Sequence, residues 1–189
     1  MKSVLEAAKM FAGEVIPTGG HVLDATAGNG HDTTFLASCA GPEGTVTSMD
    51  IQQQALDETK ERAPDWVTLV RDSHANAGKY LSGAPLDCVM FNLGYLPGGD
   101  KSVVTTPEET LQALRTLLPQ LKAGGRIVMV VYHGHPGGEN ERDALMAFAS
   151  SLPQKQVQAL IYQYINQRGA APFLVVLERL TTAELKLDV

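Results

Sequence analysis

Alternation of short β-rich runs with helical stretches is the feature that most narrows the folds open to this chain. The runs are His21 to Asp24, Thr45 to Asp50, Val67 to Asp72, Leu86 to Asn92 and Gly125 to Tyr132. Between them lie helix-compatible stretches at about residues 30 to 39, 52 to 63, 74 to 82 and 106 to 121, each of crossover length. Such alternation makes βαβ units and a parallel sheet. Ahead of the first run, Val4, Ala8, Phe11 and Val15 recur at helical spacing and stop before Pro17-Thr-Gly-Gly20, which predicts a leading helix. The clearest helix start is Thr106 as N-cap, with Pro107 at the first helical position and Glu109 three residues after the cap. Beyond Gln154 the pattern changes. Val157 to Ile165 and Phe173 to Leu180 are strand-like and joined by Asn166 to Pro172, too short for a crossover helix, so they form an antiparallel pair that closes the sheet. The expectation is one α/β domain over residues 1–189, its seven strands mostly parallel with an antiparallel C-terminal pair.

Composition excludes several classes of function. Apolar residues make up 44% and charged ones 19%, the balance of an ordered globular chain. Apolar stretches such as Ile127 to Val131 and Phe173 to Leu177 read as buried strands and fall far short of a membrane span, so no membrane partner is expected. Met1-Lys2-Ser3-Val4 leads directly into an amphipathic pattern with Glu6, Lys9 and Glu14, unlike a secretory signal, and the expected location is cytoplasmic. Cys39 and Cys88 form no CxxC pair and read as reduced thiols. A net charge of -6 weighs against an extended nonspecific nucleic-acid surface but leaves room for a small RNA footprint. A homodimer could supply the basic residues that one acidic protomer lacks.

The segment Asp24-Ala-Thr-Ala-Gly28-Asn29-Gly30 closes the first run and opens a helix. Its glycines permit a tight turn and close approach of a ligand to backbone, and the helix start presents unpaired amides. By itself the turn reads equally as a tight strand-to-helix connection. A dinucleotide fingerprint requires G-x-G-x-x-G, whereas the run here is Gly-Asn-Gly-His-Asp-Thr33. Asp24 would repel a pyrophosphate but could help to hold the methionine ammonium of S-adenosylmethionine, directly or through water. Asp50 ends the second run, where a carboxylate can accept from both ribose hydroxyls, a spacing that fits either cofactor. Asp72 ends the third, placed to accept from the adenine amino group while Ser73 caps the next helix; in isolation capping alone explains the pair equally well. Three acidic strand ends in register point to S-adenosylmethionine beyond the carboxyl edge of the sheet. The candidate cofactor set is Asp24, Thr26, Gly28, Asn29, Gly30, His31, Asp32, Thr33, Asp50, Gln52, Asp72, Ser73, His74 and Asn92.

After the fourth run comes Asn92-Leu93-Gly94-Tyr95-Leu96-Pro97-Gly98-Gly99, beside the place to which the methyl group should project. Amino-methyltransferases commonly carry an Asp/Asn-Pro-Pro-aromatic motif here, and Asn92-Leu-Gly-Tyr95 resembles it with both prolines replaced. The Asn92 carbonyl and a neighbouring backbone carbonyl can accept from an amine and aim its lone pair, while Tyr95 can stack on a nucleobase. The bland alternative is a glycine-rich loop with a packed tyrosine. His133 and His135 follow the fifth run in Tyr132-His133-Gly134-His135-Pro136-Gly137-Gly138. They have no Cys or acidic partner at ligand spacing, so no metal is expected; either can relay the proton that an amine loses, as can solvent. The candidate catalytic residues are Asn92, Tyr95, His133 and His135.

Together, Asp24-Ala-Thr-Ala-Gly-Asn-Gly-His-Asp-Thr33, Asn92-Leu-Gly-Tyr-Leu-Pro-Gly-Gly-Asp100 and Tyr132-His-Gly-His-Pro-Gly-Gly138 resemble the bacterial tRNA 5-aminomethyl-2-thiouridine methyltransferases, long labelled rRNA methylases. The resemblance spans nearly the whole length, including the closing Tyr162-Gln163 to Glu178 strand pair. It implies the Rossmann-like class I methyltransferase fold, with five parallel strands followed by an antiparallel pair. It also implies methyl transfer from S-adenosylmethionine to the aminomethyl nitrogen of the wobble uridine, giving 5-methylaminomethyl-2-thiouridine, with a tRNA anticodon stem-loop as partner. The loop Gln167-Arg-Gly-Ala-Ala-Pro172 is poorer in Asn and Pro than its counterpart in that family, so the resemblance assigns it no substrate role. A small-molecule methyltransferase and a noncatalytic nucleotide-binding module are the competing readings of the same residues.

Overall fold

Ser3 starts the first helix with a capping box: its hydroxyl accepts the Glu6 N–H at 3.2 Å, and the Glu6 carboxylate takes the Ser3 N–H at 2.7 Å. In this computed structural model, which describes residues 1–96, 98, 103–185 and 187, the chain then runs α1 (Val4–Gly13), β1 (His21–Asp24), α2 (His31–Ala40), β2 (Thr45–Asp50), α3 (Gln53–Arg62) and β3 (Thr68–Arg71). A 3-10 helix (His74–Tyr80) leads to β4 (Leu86–Leu93), α4 (Pro107–Leu117), a 3-10 turn (Leu118–Gln120), β5 (Leu121–Val131), α5 (Gly138–Ser151), β6 (Val157–Tyr162) and β7 (Phe173–Arg179). Pro97, Gly99 and Asp100, part of the expected acceptor motif, lie outside the described residues.

One seven-stranded sheet results, in the order β3-β2-β1-β4-β5-β7-β6. The first five strands of that order are mutually parallel, and β7 runs antiparallel between β5 and β6. Side chains alternate across it, as the period of two requires. Val89, Phe91 and Leu93 of β4 pack with Ala113, Leu114 and Leu117 of α4 and Leu145 and Phe148 of α5. Cys88 and Met90 face the other way, onto Val4, Ala8 and Ala12 of α1 and Leu36 of α2. Both faces are therefore covered, and for that reason the central strands read as continuous apolar runs. Among the described residues no helix is long and apolar enough to cross a membrane.

Four expectations change. Helix α5 was not anticipated: its N-cap is Gly137, without a side-chain cap, and its buried face includes a carboxylate, Glu141, which breaks the apolar periodicity. The stretch after β3 winds as a 3-10 helix, and the stretch 106 to 121 leaves α geometry after Leu117, so β5 begins at Leu121 rather than at Gly125. Finally, β6 stops at Tyr162 instead of Ile165. The start at Thr106 is as expected, its hydroxyl accepting the Glu109 N–H at 3.3 Å.

Candidate active site

The strand order reverses between β1 and β4, and the carboxyl ends of β1 to β5 open there onto two adjoining recesses. Thr26, Gly28, Asn92, Gly94 and Tyr95 line both, so they form the wall between them.

The β1–α2 turn carries positive φ angles at Gly28 (52°) and Gly30 (78°). Gly30 has a second constraint, because a Cβ there would come within 2.8 Å of the Thr59 Cα on α3. Gly28 turns its N–H to the Asp50 carboxylate at 3.1 Å, and Gln52, the N-cap position of α3, gives that carboxylate its own N–H at 2.9 Å. Asp50 remains partly open on the first recess; burial raises its carboxyl pKa against the lowering effect of these amides.

Asp24 departs from the expectation. Its carboxylate is fully buried, taking the Thr33 hydroxyl at 2.6 Å and the Thr26 N–H at 3.2 Å, and it lines neither recess. Thr33 is equally enclosed and shares a 2.7 Å contact with the Ser48 hydroxyl. Asp24 therefore braces the turn from beneath instead of meeting a ligand's ammonium directly. Burial, with the charge of Asp32 adding to it, pushes the Asp24 carboxyl up to about 7.

Asp72, Ser73 and His74 meet on the first recess as expected, beside Gln52. Asp72 accepts from Asn76 Nδ2 at 2.8 Å and from the Tyr80 hydroxyl at 2.7 Å, and these bonds hold its carboxyl below the ordinary value. Ser73 caps the 3-10 helix through the Ala75 N–H at 3.2 Å and donates to Glu109 at 2.7 Å. His74 is buried edge-on to Phe91, with Nε2 unpartnered, and burial lowers its pKa toward the neutral ring.

The second recess collects Asn29, whose Oδ1 is buried without a partner, the exposed His31, and Asp32. Asn92 gives its backbone N–H to Thr26 Oγ1 at 2.7 Å and its side-chain Nδ2 to Asp32 Oδ2 at 2.7 Å. The neighbouring carbonyls expected to help it each hold one backbone partner: Leu93 O accepts the Tyr132 N–H at 2.9 Å, and Gly94 O accepts the Thr105 N–H at 2.9 Å. Tyr95 is 39% exposed and stands edge-on to His135, ring centroids 6.0 Å apart. His135 lines the recess with Nε2 buried and unpartnered, whereas His133 does not line it: that ring contacts Ala171 O at 3.2 Å and packs on Phe173. Of the two candidate proton carriers the fold brings only His135 to the cleft.

Four contributors escaped the sequence reading. Lys9 of α1 and Tyr132, just after β5, line the second recess, and Glu109 lines the first. Glu141 of α5, 1% exposed, accepts the Thr105 and Thr110 hydroxyls at 2.7 Å each, and Thr105 Oγ1 accepts the Gly94 N–H at 2.9 Å. Glu109 had a signal, its capping position; the others reach the site only through tertiary packing.

The family described as "Putative rRNA methylase" matches residues 46–178. A chloroplastic tRNA (mnm(5)s(2)U34)-methyltransferase of Arabidopsis thaliana is 38% identical over 188 residues, spanning 92% of this chain and 68% of the relative. A Clostridium thermocellum structure of the same description as the family superposes with a TM-score of 0.92 at 39% identity, covering 95% of this chain and 99% of its own. A Streptococcus mutans methyltransferase structure in complex with SAH gives 0.87 at 37% identity, with coverage of 95% and 99%. Similarity of this extent, over the strands that build both recesses, means that the chain belongs to this rRNA methylase family.

Proposed function

We propose that the chain is a tRNA methyltransferase that moves a methyl group from S-adenosylmethionine to the aminomethyl nitrogen of 5-aminomethyl-2-thiouridine at the wobble position. The observation that carries this reading is the position of Asn92, a side chain with an amide acceptor in the wall between two recesses. One recess has the acids suited to an adenosine, and the other is open to a larger molecule. The Arabidopsis relative's named activity supplies the nucleoside.

The first recess fits the cofactor. Asp50 presents a partly open carboxylate toward a ribose, Ser73 and His74 bound the base end, and the Gly28 to Gly30 turn keeps side chains out of the space between. Across the wall, on the second recess, Asn29 offers an enclosed, unpartnered oxygen toward the methionine ammonium, the role that Asp24 does not fill directly, so the methionine end of the cofactor reaches into that recess. When bound, the cofactor supplies an electrophilic methyl group, which passes to the amine lone pair while the carbon–sulfur electrons stay on sulfur. Asn92 Oδ1 accepts one amine N–H and so turns the nitrogen toward its target. Tyr95 supplies a face on which the extruded uridine stacks. His135, at the rim, can take the proton that the new secondary ammonium sheds; solvent can as well.

Incubation of the enzyme and labelled cofactor with tRNA from a strain lacking the gene tests the reading. Nucleoside mass spectrometry should show 5-aminomethyl-2-thiouridine gaining one methyl, and an unchanged nucleoside sinks it. The anticodon stem-loop approaches over Lys9, His31 and His135 of a cytoplasmic enzyme. A homodimer would pair through the open edge of β6, where Leu160 and Ile161 are each over two-fifths exposed; sedimentation reads that directly.

A further inference from the structure

We infer that Asp32 is a positioning residue that fixes the Asn92 amide with its oxygen, not its nitrogen, toward the methyl acceptor, an inference that rests on the proposed amine methylation. An Asn side chain is nearly symmetric in shape, and its terminal torsion is soft, so sterics alone do not choose between the two ends. The wrong end would oppose an incoming amine with a second donor. An ionised carboxylate resolves the choice because it only accepts: the group facing it must be Nδ2.

That contact is made at 2.7 Å between Asn92 Nδ2 and Asp32 Oδ2, across 60 residues of sequence. No described residue donates to Asn92 Oδ1, which leaves that oxygen for the cleft. The backbone of Asn92 is fixed separately by Thr26 Oγ1, so rotation of the side chain is the freedom that remains for Asp32 to remove. Asp32 itself is held at the start of α2, where a negative charge is favoured by the helix dipole, with the Lys9 ammonium 3.8 Å from its other oxygen. A helix-start acid accounts for an Asp at this position but not for its bond to β4.

The bonding of the Leu93 and Gly94 carbonyls sharpens the role. Each already holds one backbone N–H, whereas Asn92 Oδ1 holds none from the described residues, so a misturned Asn92 takes the one unengaged oxygen of the three away from the amine. Asp32 lines the second recess and takes no part in the first, which contains Asp50, Gln52 and Asp72. It therefore sits away from the adenosine end, in the recess that also holds Asn29 and Asn92.

A double-mutant cycle with Asn92 tests this, run on whichever tRNA nucleoside the wild type methylates, so that a wrong nucleoside sinks the proposed substrate and not the positioning role. Asp32→Leu should lower kcat about 10- to 100-fold, the scale of losing a charge-assisted orienting bond, while SAH affinity measured by calorimetry stays within about twofold of wild type. Asp32→Asn, which can offer Asn92 either its oxygen or its amide nitrogen, should recover only part of that loss. In an Asn92→Ala background Asp32→Leu should add almost nothing, because the group it orients is gone. Additive losses overturn the inference. So does a fall in SAH affinity that matches the fall in kcat; if 5'-methylthioadenosine binding were spared, that result would make Asp32 a ligand of the methionine ammonium instead.

Discussion

Replacing Asp24 with Asn should remove a pH dependence from the stability of the whole domain. The wild-type carboxyl is fully buried and is raised from 3.8 to about 7. A difference of that size corresponds to roughly 4 kcal/mol between its protonated and ionised forms. Between those two pH values the folded chain keeps a proton that the unfolded chain has released, so stability falls as pH rises through this window and levels off above the folded value. From about pH 5 to pH 8 the loss amounts to roughly 2.5 kcal/mol. Asn preserves the contacts without the titration: its oxygen can accept the Thr26 N–H, and its amide can donate to Thr33, whose own hydrogen then turns to Ser48, 2.7 Å away. Urea unfolding at a series of pH values reads the outcome. The stability gap between wild type and Asp24→Asn should shift by roughly 2.5 kcal/mol over that range, with wild type the weaker partner at the alkaline end. Parallel stability curves would show that Asp24 does not titrate there and would refute the reasoning.

Three other outcomes are expected. Asp50→Ala should weaken SAH binding by about 10- to 100-fold in calorimetry, the scale of charge-assisted bonds worth ~1.5–3 kcal/mol, and unchanged affinity would remove Asp50 from the site. Glu141→Leu leaves the Thr105 and Thr110 hydroxyls without their acceptor in the interior and should cost ~2 kcal/mol or more of stability in urea, with Glu141→Gln costing less. His135→Ala should alter the pH profile of kcat, whereas His133→Ala, whose ring lies against Ala171 and Phe173, should leave that profile in place; the reverse pattern would exchange their roles.

Much of the site was legible because strand ends and turn glycines are local signals. Asp50, Asp72 and the Gly28 to Gly30 turn fall at the carboxyl edge because β1, β2 and β3 run parallel and in register, and that follows from alternation alone. The errors have a common origin. Asp24 and Asp50 are alike in sequence context, each the last residue of a β-rich run, yet one is enclosed under the turn and the other opens on the cleft. Likewise His133 and His135 are two residues apart and point to different surroundings. Burial is decided by what packs over a residue, and no local pattern reports that.

By itself, then, the sequence determined the layer order of the fold, the glycine turn at the carboxyl edge of the sheet and the strand end that bears Asn92, since hydrophobic period, helix caps and positive-φ glycines act within a few residues. Tertiary structure decided which groups share a cavity and which atom each one presents. The bond from Asp32 to Asn92 spans 60 residues, and that from Glu141 to Thr105 spans 36. Such contacts exist only once the sheet has brought distant segments together. Orientation at the acceptor site is therefore a property of the packed molecule, set by directional hydrogen bonds that a linear pattern does not encode.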